Sequence, residues 1–170
     1  MICDCCGVDL GEIPTDFGFR RPVPFFMVPE AERAERVKAN DDLCMIDGKL
    51  FYVRGIMTVP IVDGEPGASF GWGLWAAVSE RSFWRYRELW DVDGSAEPPF
   101  RGLLAVSPIG YPNALDAEVR VQLRSASERP AILPAAYDHP LFVEQRDGIS
   151  VKRWHQIVAT IRAAQRPASA

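Results

Sequence analysis

The feature that most constrains the fold is an Asp-Gly pair placed between two short apolar runs. Asp47 and Gly48 separate residues 43–46 from residues 50–53, and both runs are apolar enough to form strands. Such a pair is a strong local signal for a β-hairpin, because both residues tolerate the positive φ angles of a tight turn. The chain is therefore expected to build its sheet around this hairpin.

Further strand-like segments follow the hairpin. The second hairpin strand is expected to run on to about residue 62 with a bend at Gly55, where a glycine weakens regular pairing. Additional strands are predicted at residues 69–78, 100–106, 117–123 and 131–133. These segments do not alternate with helices as a parallel βαβ fold requires, so the sheet is expected to be antiparallel.

Helix signals lie at both ends of the chain and in its middle. A proline start and favourable charges predict a helix over residues 29–39, and Ser79 can cap a helix that ends near residue 91. Residues 140–146 and 150–165 are expected to form the last two helices. Residues 13–28 contain three prolines and are expected to form an irregular strap. Together these signals predict an α+β fold, with an antiparallel sheet of about five strands and two or three helices packed mainly on one face.

Length and composition indicate one domain over residues 1–170. The chain has 170 residues, of which 48% are hydrophobic, enough for one substantial core and too few for two comfortable domains. Within that domain we expect a cysteine knuckle at residues 1–12 and a frayed C-terminus at residues 167–170.

Charge and hydropathy limit the cellular compartment and the classes of binding partner that we expect. No run of about 18 apolar residues occurs, and no basic cluster followed by an apolar run opens the chain, so we expect a cytoplasmic protein without a membrane partner. The net charge of −4 and the pI near 5.2 argue against a nucleic-acid partner, because such binding depends on basic groups that neutralise phosphates.

The N-terminus carries a metal-binding pattern. Cys3 and Cys6 form a Cys-x-x-Cys followed by Gly7, which is the form of one zinc knuckle. A structural zinc site needs about four ligands, and Cys44 is the obvious third. The fourth is open among four residues, namely His139, Asp47, Asp9 and His155.

Two other readings of these cysteines remain open. The thiols can be small buried apolar groups with no metal, as free cysteines often are. Alternatively, the chain can be a small metal- or thiol-dependent hydrolase, with His139 as its acid–base and Asp138 orienting the ring. An open coordination position beside His139 would favour the hydrolase, whereas a closed site of four protein ligands would favour a structural zinc.

Aromatic residues suggest a binding surface. Trp72 and Trp75 lie on one predicted strand, and with Arg54 and Tyr52 they could form a concave patch for a peptide or a flat ligand, although ordinary core packing is the alternative. The phosphate-binding and dinucleotide-binding glycine patterns are absent, so no nucleotide cofactor is expected.

A set of short motifs spread over nearly the whole chain resembles the bacterial domain-of-unknown-function 2199 family. The motifs are Cys3-x-x-Cys6-Gly7, Asp16-Phe17-Gly18, Pro29 with Glu32-Arg33, the run from Asp42 to Asp47, Arg54-Gly55, Trp72-Gly73-x-Trp75, Phe100-x-Gly102, Tyr111-Pro112, Asp138-His139-Pro140-Leu141, Glu144-Gln145 and Gly148-Ile149. The resemblance implies a stand-alone bacterial cytoplasmic protein of a family without an established activity. Such proteins often carry a histidine shortly after the Cys-x-x-Cys-Gly, where this chain has Asp9 or a neighbour.

These observations favour a non-enzymatic binding or interaction protein with a zinc site formed by Cys3, Cys6, Cys44 and His139. Its expected partner is a protein of unknown identity. The acidic balance of the chain favours a basic one.

Overall fold

The computed structural model describes Gly7 and residues 14–165. The predicted cysteine knuckle, apart from Gly7, and the predicted frayed end lie outside the described residues. The strands are β1 (Asp16–Gly18), β2 (Val37–Ala39), β3 (Leu43–Ile46), β4 (Leu50–Pro60), β5 (Ser69–Val78), β6 (Phe100–Leu104), β7 (Glu118–Gln122) and β8 (Ala131–Pro134). The helices are α1 (Val23–Met27), α2 (Arg33–Arg36), α3 (Glu80–Glu88), α4 (Pro140–Asp147) and α5 (Val151–Gln165).

Five of the strands close into a barrel. Following the wall from β5, each strand pairs with the next in the order β5, β6, β7, β8 and β4, and β4 returns to pair with β5. The pairing of β4 with β5 is the longest, from Phe51 opposite Val78 to Pro60 opposite Ser69. The pairing of β4 with β8 is parallel and rests on a single register pair, Ile56 with Ala131. This short parallel contact, which we call the seam, closes the barrel.

The predicted open sheet with helices mainly on one face is therefore wrong. Its strands were placed nearly correctly, but they form a closed barrel with three added strands and with helices around it. The physical reason lies in β4, whose first half pairs with β3 and whose second half pairs with β8. The switch occurs at Gly55, where a Cβ atom would lie 2.7 Å from the carbonyl oxygen of Pro130, so only glycine lets β8 approach.

Large side chains fill the interior of the barrel. Met57 stands opposite Trp72, and Val59 stands opposite Phe70, on facing positions of β4 and β5. All four side chains are at most 1% exposed. Burying each such side chain stabilises the fold by roughly 1.5–3 kcal/mol, so this row is a main source of the barrel's stability.

The N-terminal third differs from its prediction in two places. The strap predicted to be irregular contains β1, which pairs in parallel with β5, and the short helix α1. The helix predicted over residues 29–39 is cut to a 3₁₀ turn at Glu30–Glu32 and to α2, because the chain then becomes the edge strand β2 against β3. Pairing with a neighbouring strand overrides the local helix preference of this segment.

The later helices begin as predicted. The Ser79 side chain accepts a hydrogen bond of 3.1 Å from the backbone of Ser82 and caps α3. The last two helices, α4 and α5, occupy the predicted segments. In residues 14–165, none of the helices combines the length and the apolar character needed to cross a bilayer.

Three side chains tie α4 and α5 to the end of the barrel. The Tyr111 hydroxyl donates to one carboxylate oxygen of Glu144, and Nε of Arg153 donates to the other at 2.8 Å. The Tyr111 ring also meets Trp72 edge-to-face, with the ring centroids 5.9 Å apart. Burial is the main reason that the pKa of Tyr111 is raised above its ordinary value, and the Glu144 carboxylate adds to the rise.

Candidate functional site

A groove runs along one side of α3, beside the turn before β3 and the loop before β8. Its largest part is a pocket of about 460 Å³ between the end of α3 and the loop that joins β7 to β8. Two shallower depressions continue it toward β2 and β3. Neighbouring parts share lining residues: the pocket shares Trp90 with the middle depression, which shares Asn40, Leu43 and Arg87 with the last one. We call this continuous feature the α3 groove.

The amphipathic character of α3 explains why the groove exists. Phe83 and Tyr86 face the barrel and are only 4% and 6% exposed. Their burial fixes the helix on the wall and leaves Trp84 and Arg87 at its outer side. The guanidinium of Arg87 lies 5.6 Å from the centroid of the Trp84 ring, within the range of a cation–π contact. The groove thus presents a charged group and an aromatic ring close together.

An ion pair forms one wall of the pocket. Nε of Arg129, on the loop before β8, donates to a carboxylate oxygen of Asp42 at 2.5 Å. The Asn40 side chain holds the turn before β3 by accepting from the backbone N–H groups of Asp42 and Leu43 at 2.9 and 2.8 Å. Burial raises the pKa of Tyr86, Asp42 raises it further and Arg129 opposes them. The Tyr86 hydroxyl therefore stays protonated as a neutral donor beside the pair.

The floor of the pocket is apolar. Ile56, Leu89, Trp90 and Leu123 line it together with Tyr86. Pockets of a few hundred Å³ with apolar walls and a few placed polar groups are typical of ligand-binding sites in proteins. The groove lining contains neither cysteine nor histidine among the described residues.

The predicted aromatic surface is mostly covered. Trp72 lies inside the barrel and Trp75 lies under the N-terminal strap, where its Nε1 donates to the carbonyl oxygen of Phe19 at 2.8 Å. Both tryptophans are 0% exposed and Tyr52 is 4% exposed. Of the four residues named for this surface, only Arg54 is open enough to meet a partner.

Arg54 lies on a platform made by two glycines. Its guanidinium crosses β5 on the outer face and rests on Gly18 and Gly73, where a Cβ at Gly18 would collide with Nη2 and a Cβ at Gly73 would come within 3.5 Å of it. The Nε atom is buried and has no hydrogen-bond acceptor. Its Nη1 makes one long bond of 3.3 Å to the carbonyl oxygen of Asp41. We call this arrangement the glycine platform.

Two of the predicted zinc ligands can be placed. Cys44 is 0% exposed on β3, and burial raises its pKa to about 11, with Arg21 opposing the rise. The ring of His139 caps α4: its Nδ1 accepts from the backbone N–H of Leu141 at 3.2 Å, and its Nε2 lies 2.9 Å from the carbonyl oxygen of Pro112. A carbonyl can only accept, so this geometry assigns the proton to Nε2 and leaves neither nitrogen free.

Two of the remaining candidates, Asp47 and His155, lie among the described residues. Cys3, Cys6 and Asp9 lie outside the described residues. Asp47 is held by Arg36 in two bonds of 2.8 and 2.7 Å, and His155 is 8% exposed on α5. Within residues 14–165, no group of three or more histidine, cysteine or acidic side chains is close enough to hold a metal ion. The zinc site therefore stays a prediction.

The sequence did not reveal the groove. The sequence predicts a helix after Ser79, but its pattern does not show the open flank beside that helix. Asp42 and Arg129 are 87 positions apart, and nothing local marks them as partners. Only the closing of the barrel brings the loop before β8 next to the turn before β3.

The fold is that of a small closed β-barrel protein with a groove beside α3. A model of the family described as an uncharacterized protein conserved in bacteria (DUF2199) matches residues 2–149, and the chain belongs to this family. The match confirms the resemblance found in the sequence motifs. No curated protein and no solved structure gives a significant match to the chain.

Proposed function

We propose that this chain is a binding protein that takes an extended segment of a partner protein into the α3 groove. The observation that carries the proposal is the continuity of the groove: its pocket and middle depression share Trp90, and its two depressions share Arg87, Asn40 and Leu43. A compact ligand would need the pocket alone, whereas an extended chain would use its whole length.

The dimensions support an extended segment. Trp84 and Trp90 are six positions apart along and just beyond α3, which at roughly 1.5 Å per residue is about 9 Å. An extended chain rises about 3.3 Å per residue, so about three residues of a partner would span this distance. The pocket beyond Trp90 would then receive one further side chain.

The chemistry of the groove suits both apolar and polar contacts. Trp84 is 37% exposed and can anchor an apolar side chain, and aromatic anchors of this kind dominate many protein interfaces. Asn40, Arg87 and the pair of Asp42 with Arg129 provide polar groups at the rim. The net charge of −4 supports a basic partner through long-range attraction.

The hydrolase alternative gains no support from the position of His139. A general base must have a ring nitrogen available to the proton that it removes. Both nitrogens of His139 are engaged by the backbone at Leu141 and Pro112. The favoured function, binding of a partner segment, is therefore the one that we test, with an experiment on the α3 groove.

A library of displayed random peptides provides the test. Peptides selected on the wild-type protein are expected to bind Arg87→Ala and Trp84→Ala at least about tenfold more weakly, because each change removes a groove contact. Arg120→Ala is the matched charge control, since Arg120 is an exposed arginine on β7 that lines no part of the groove. Leu133→Ala is the apolar control, since Leu133 is also 37% exposed and lies on β8.

Equal loss in the groove variants and in their controls would contradict the proposal. So would a selection that yields only peptides whose binding is insensitive to all four changes. Raising the salt concentration separates the charge effect, because a basic partner should bind more weakly when the field of the acidic chain is screened.

A further inference from the structure

We propose that Arg54 on the glycine platform binds a small oxyanion, the carboxylate or phosphate group of a small molecule. This site lies on the outer face of β4 and β5 and does not depend on occupation of the α3 groove. It is carried by three observations: the platform itself, the unmet Nε donor of the guanidinium, and the charges around it.

The platform is built to hold the guanidinium in one place. Gly18 on β1 and Gly73 on β5 stand opposite each other in register, and a Cβ at Gly73 would lie only 3.0 Å from Cα of Gly18. The absence of both side chains creates the flat space that Arg54 fills. A glycine in a strand commonly marks a close approach of another group, and here that group is the arginine head.

The Nε donor of the guanidinium is left without an acceptor. Its buried Nε is unpaired, and the single bond of 3.3 Å to Asp41 is long for a charged donor. Other arginines of this chain are paired with carboxylates, such as Arg36 with Asp47 and Arg153 with Glu144. A buried unpaired donor in a folded protein calls for an explanation, and a bound anion would interact with the charge that this guanidinium carries without a carboxylate partner among the described residues.

The surrounding charges favour an anion at this point. Burial, then Arg129 and more weakly Arg21 lower the pKa of Arg54, whereas Asp42 and Asp41 raise it. Asp42 is already taken by Arg129. Arg21 stands on the same side and donates through Nη1 to the carbonyl oxygen of Asn40 at 3.0 Å. Arg21 is thus a second guanidinium near Arg54, and the planar fork of Arg54 suits bidentate contact with an oxyanion.

The Nε–H resonance of Arg54 in protein labelled with ¹⁵N-arginine tests the proposal directly. We expect it to shift saturably when inorganic phosphate is added at constant ionic strength. Acetate is titrated separately. The anion with the lower dissociation constant shows whether the site prefers a phosphate group or a carboxylate group. The Nε–H of Arg120, an exposed arginine 3.7 Å from Glu118, serves as the internal control.

Three variants sharpen the test. Arg54→Met should abolish saturable phosphate binding, and Arg54→Lys should weaken it about tenfold because the fork is lost while the charge remains. Gly18→Ala keeps the arginine but displaces its head from the platform, so it should weaken binding to a similar degree. Backbone amide spectra confirm that each variant is folded, and Arg87→Ala in the α3 groove should bind phosphate like the wild type.

Two results would overturn the proposal. One is a shift of the Arg54 resonance that grows linearly and matches that of Arg120, which would indicate general screening. The other is undiminished phosphate binding by folded Arg54→Met. Neither result depends on whether the α3 groove binds peptides, so the two proposals can fail separately.

Discussion

Asp42 and Arg129 meet beside the seam that closes the barrel, with Nε of Arg129 2.5 Å from the carboxylate of Asp42. The seam itself has one register pair, and the backbone N–H of Ile56 donates to the carbonyl oxygen of Pro130 at 2.8 Å. The ion pair therefore adds a side-chain link between β3 and β8 where backbone pairing is shortest.

Removing either partner of this pair should destabilise the barrel. The side chains are 18% and 39% exposed for Asp42 and Arg129, so water screens the pair partly and we expect a coupling of about 1 kcal/mol. Arg129→Ala should cost more than Asp42→Ala, because it leaves the more buried carboxylate unpaired. Urea unfolding of both single variants and the double variant measures the coupling. The more exposed pair of Arg101 and Glu118 should show a smaller value, and an equal value would contradict the assignment.

Gly55→Ala should weaken the seam itself. The added Cβ would lie 2.7 Å from both the Pro130 carbonyl oxygen and the Ile132 side chain, so β8 must move away from β4. Overpacking of this kind typically costs about 1–3 kcal/mol. The free energy of unfolding measures the effect, and hydrogen exchange at the Ile56 amide should accelerate. Thr58→Ala, an exposed change on the same strand, should leave the exchange of Ile56 unchanged.

The stability should fall in alkaline solution, in part because of Tyr111. Its folded pKa is raised above the ordinary value of 10.0, so the folded state holds the phenolic proton more tightly than the unfolded state does. The stabilisation is therefore complete below about pH 10 and is lost as the pH rises toward the folded pKa. Tyr111→Phe should be about 1 kcal/mol less stable at pH 7, from loss of the bond to Glu144, but should lose less stability than the wild type between pH 9 and 11. An identical alkaline slope in both proteins would assign the loss to other groups.

Zinc content tests the sequence prediction that Cys3, Cys6, Cys44 and His139 hold a metal. That prediction expects about one zinc per chain by elemental analysis, lost in Cys44→Ser and kept in the matched variant Cys5→Ser. Without a metal, burial keeps Cys44 protonated up to its pKa of about 11, so it should react with thiol reagents only after unfolding. If the protein contains no metal and Cys44 does not react with thiol reagents before unfolding, this cysteine serves only as a buried core side chain.

The sequence was most informative where the structure depends on local rules. The Asp47-Gly48 turn, the cap at Ser79 and the apolar strand containing Trp72 all lie where the pattern places them, because each depends on neighbours within a few residues. Local propensity and periodicity thus recovered most of the elements.

Closure and the sites depend on contacts between distant residues. Alternation in β4 and β5 shows which side chains share a face but not that the second half of β4 pairs with β8. For the same reason the sequence left Trp75 open between a binding surface and core packing, and only the structure shows that the strap at Phe19 covers it. The sequence indicates Arg54 as a candidate because it lies near the aromatic residues. It does not predict the glycine platform, because Gly18 and Gly73 come together only through the register of β1 with β5.

The seam also bears on how the chain is made. β4 can pair with β8 only after Ala131 has been synthesised, because β5, β6, β7 and the loops between them separate Ile56 from Ala131 in the sequence. Contacts so distant in sequence form slowly, and until then the second half of β4 offers unpaired backbone groups to other chains. A nascent chain that ends before β8 therefore leaves this edge of β4 unpaired. Such fragments are expected to aggregate through edge-to-edge strand pairing until β8 has been synthesised.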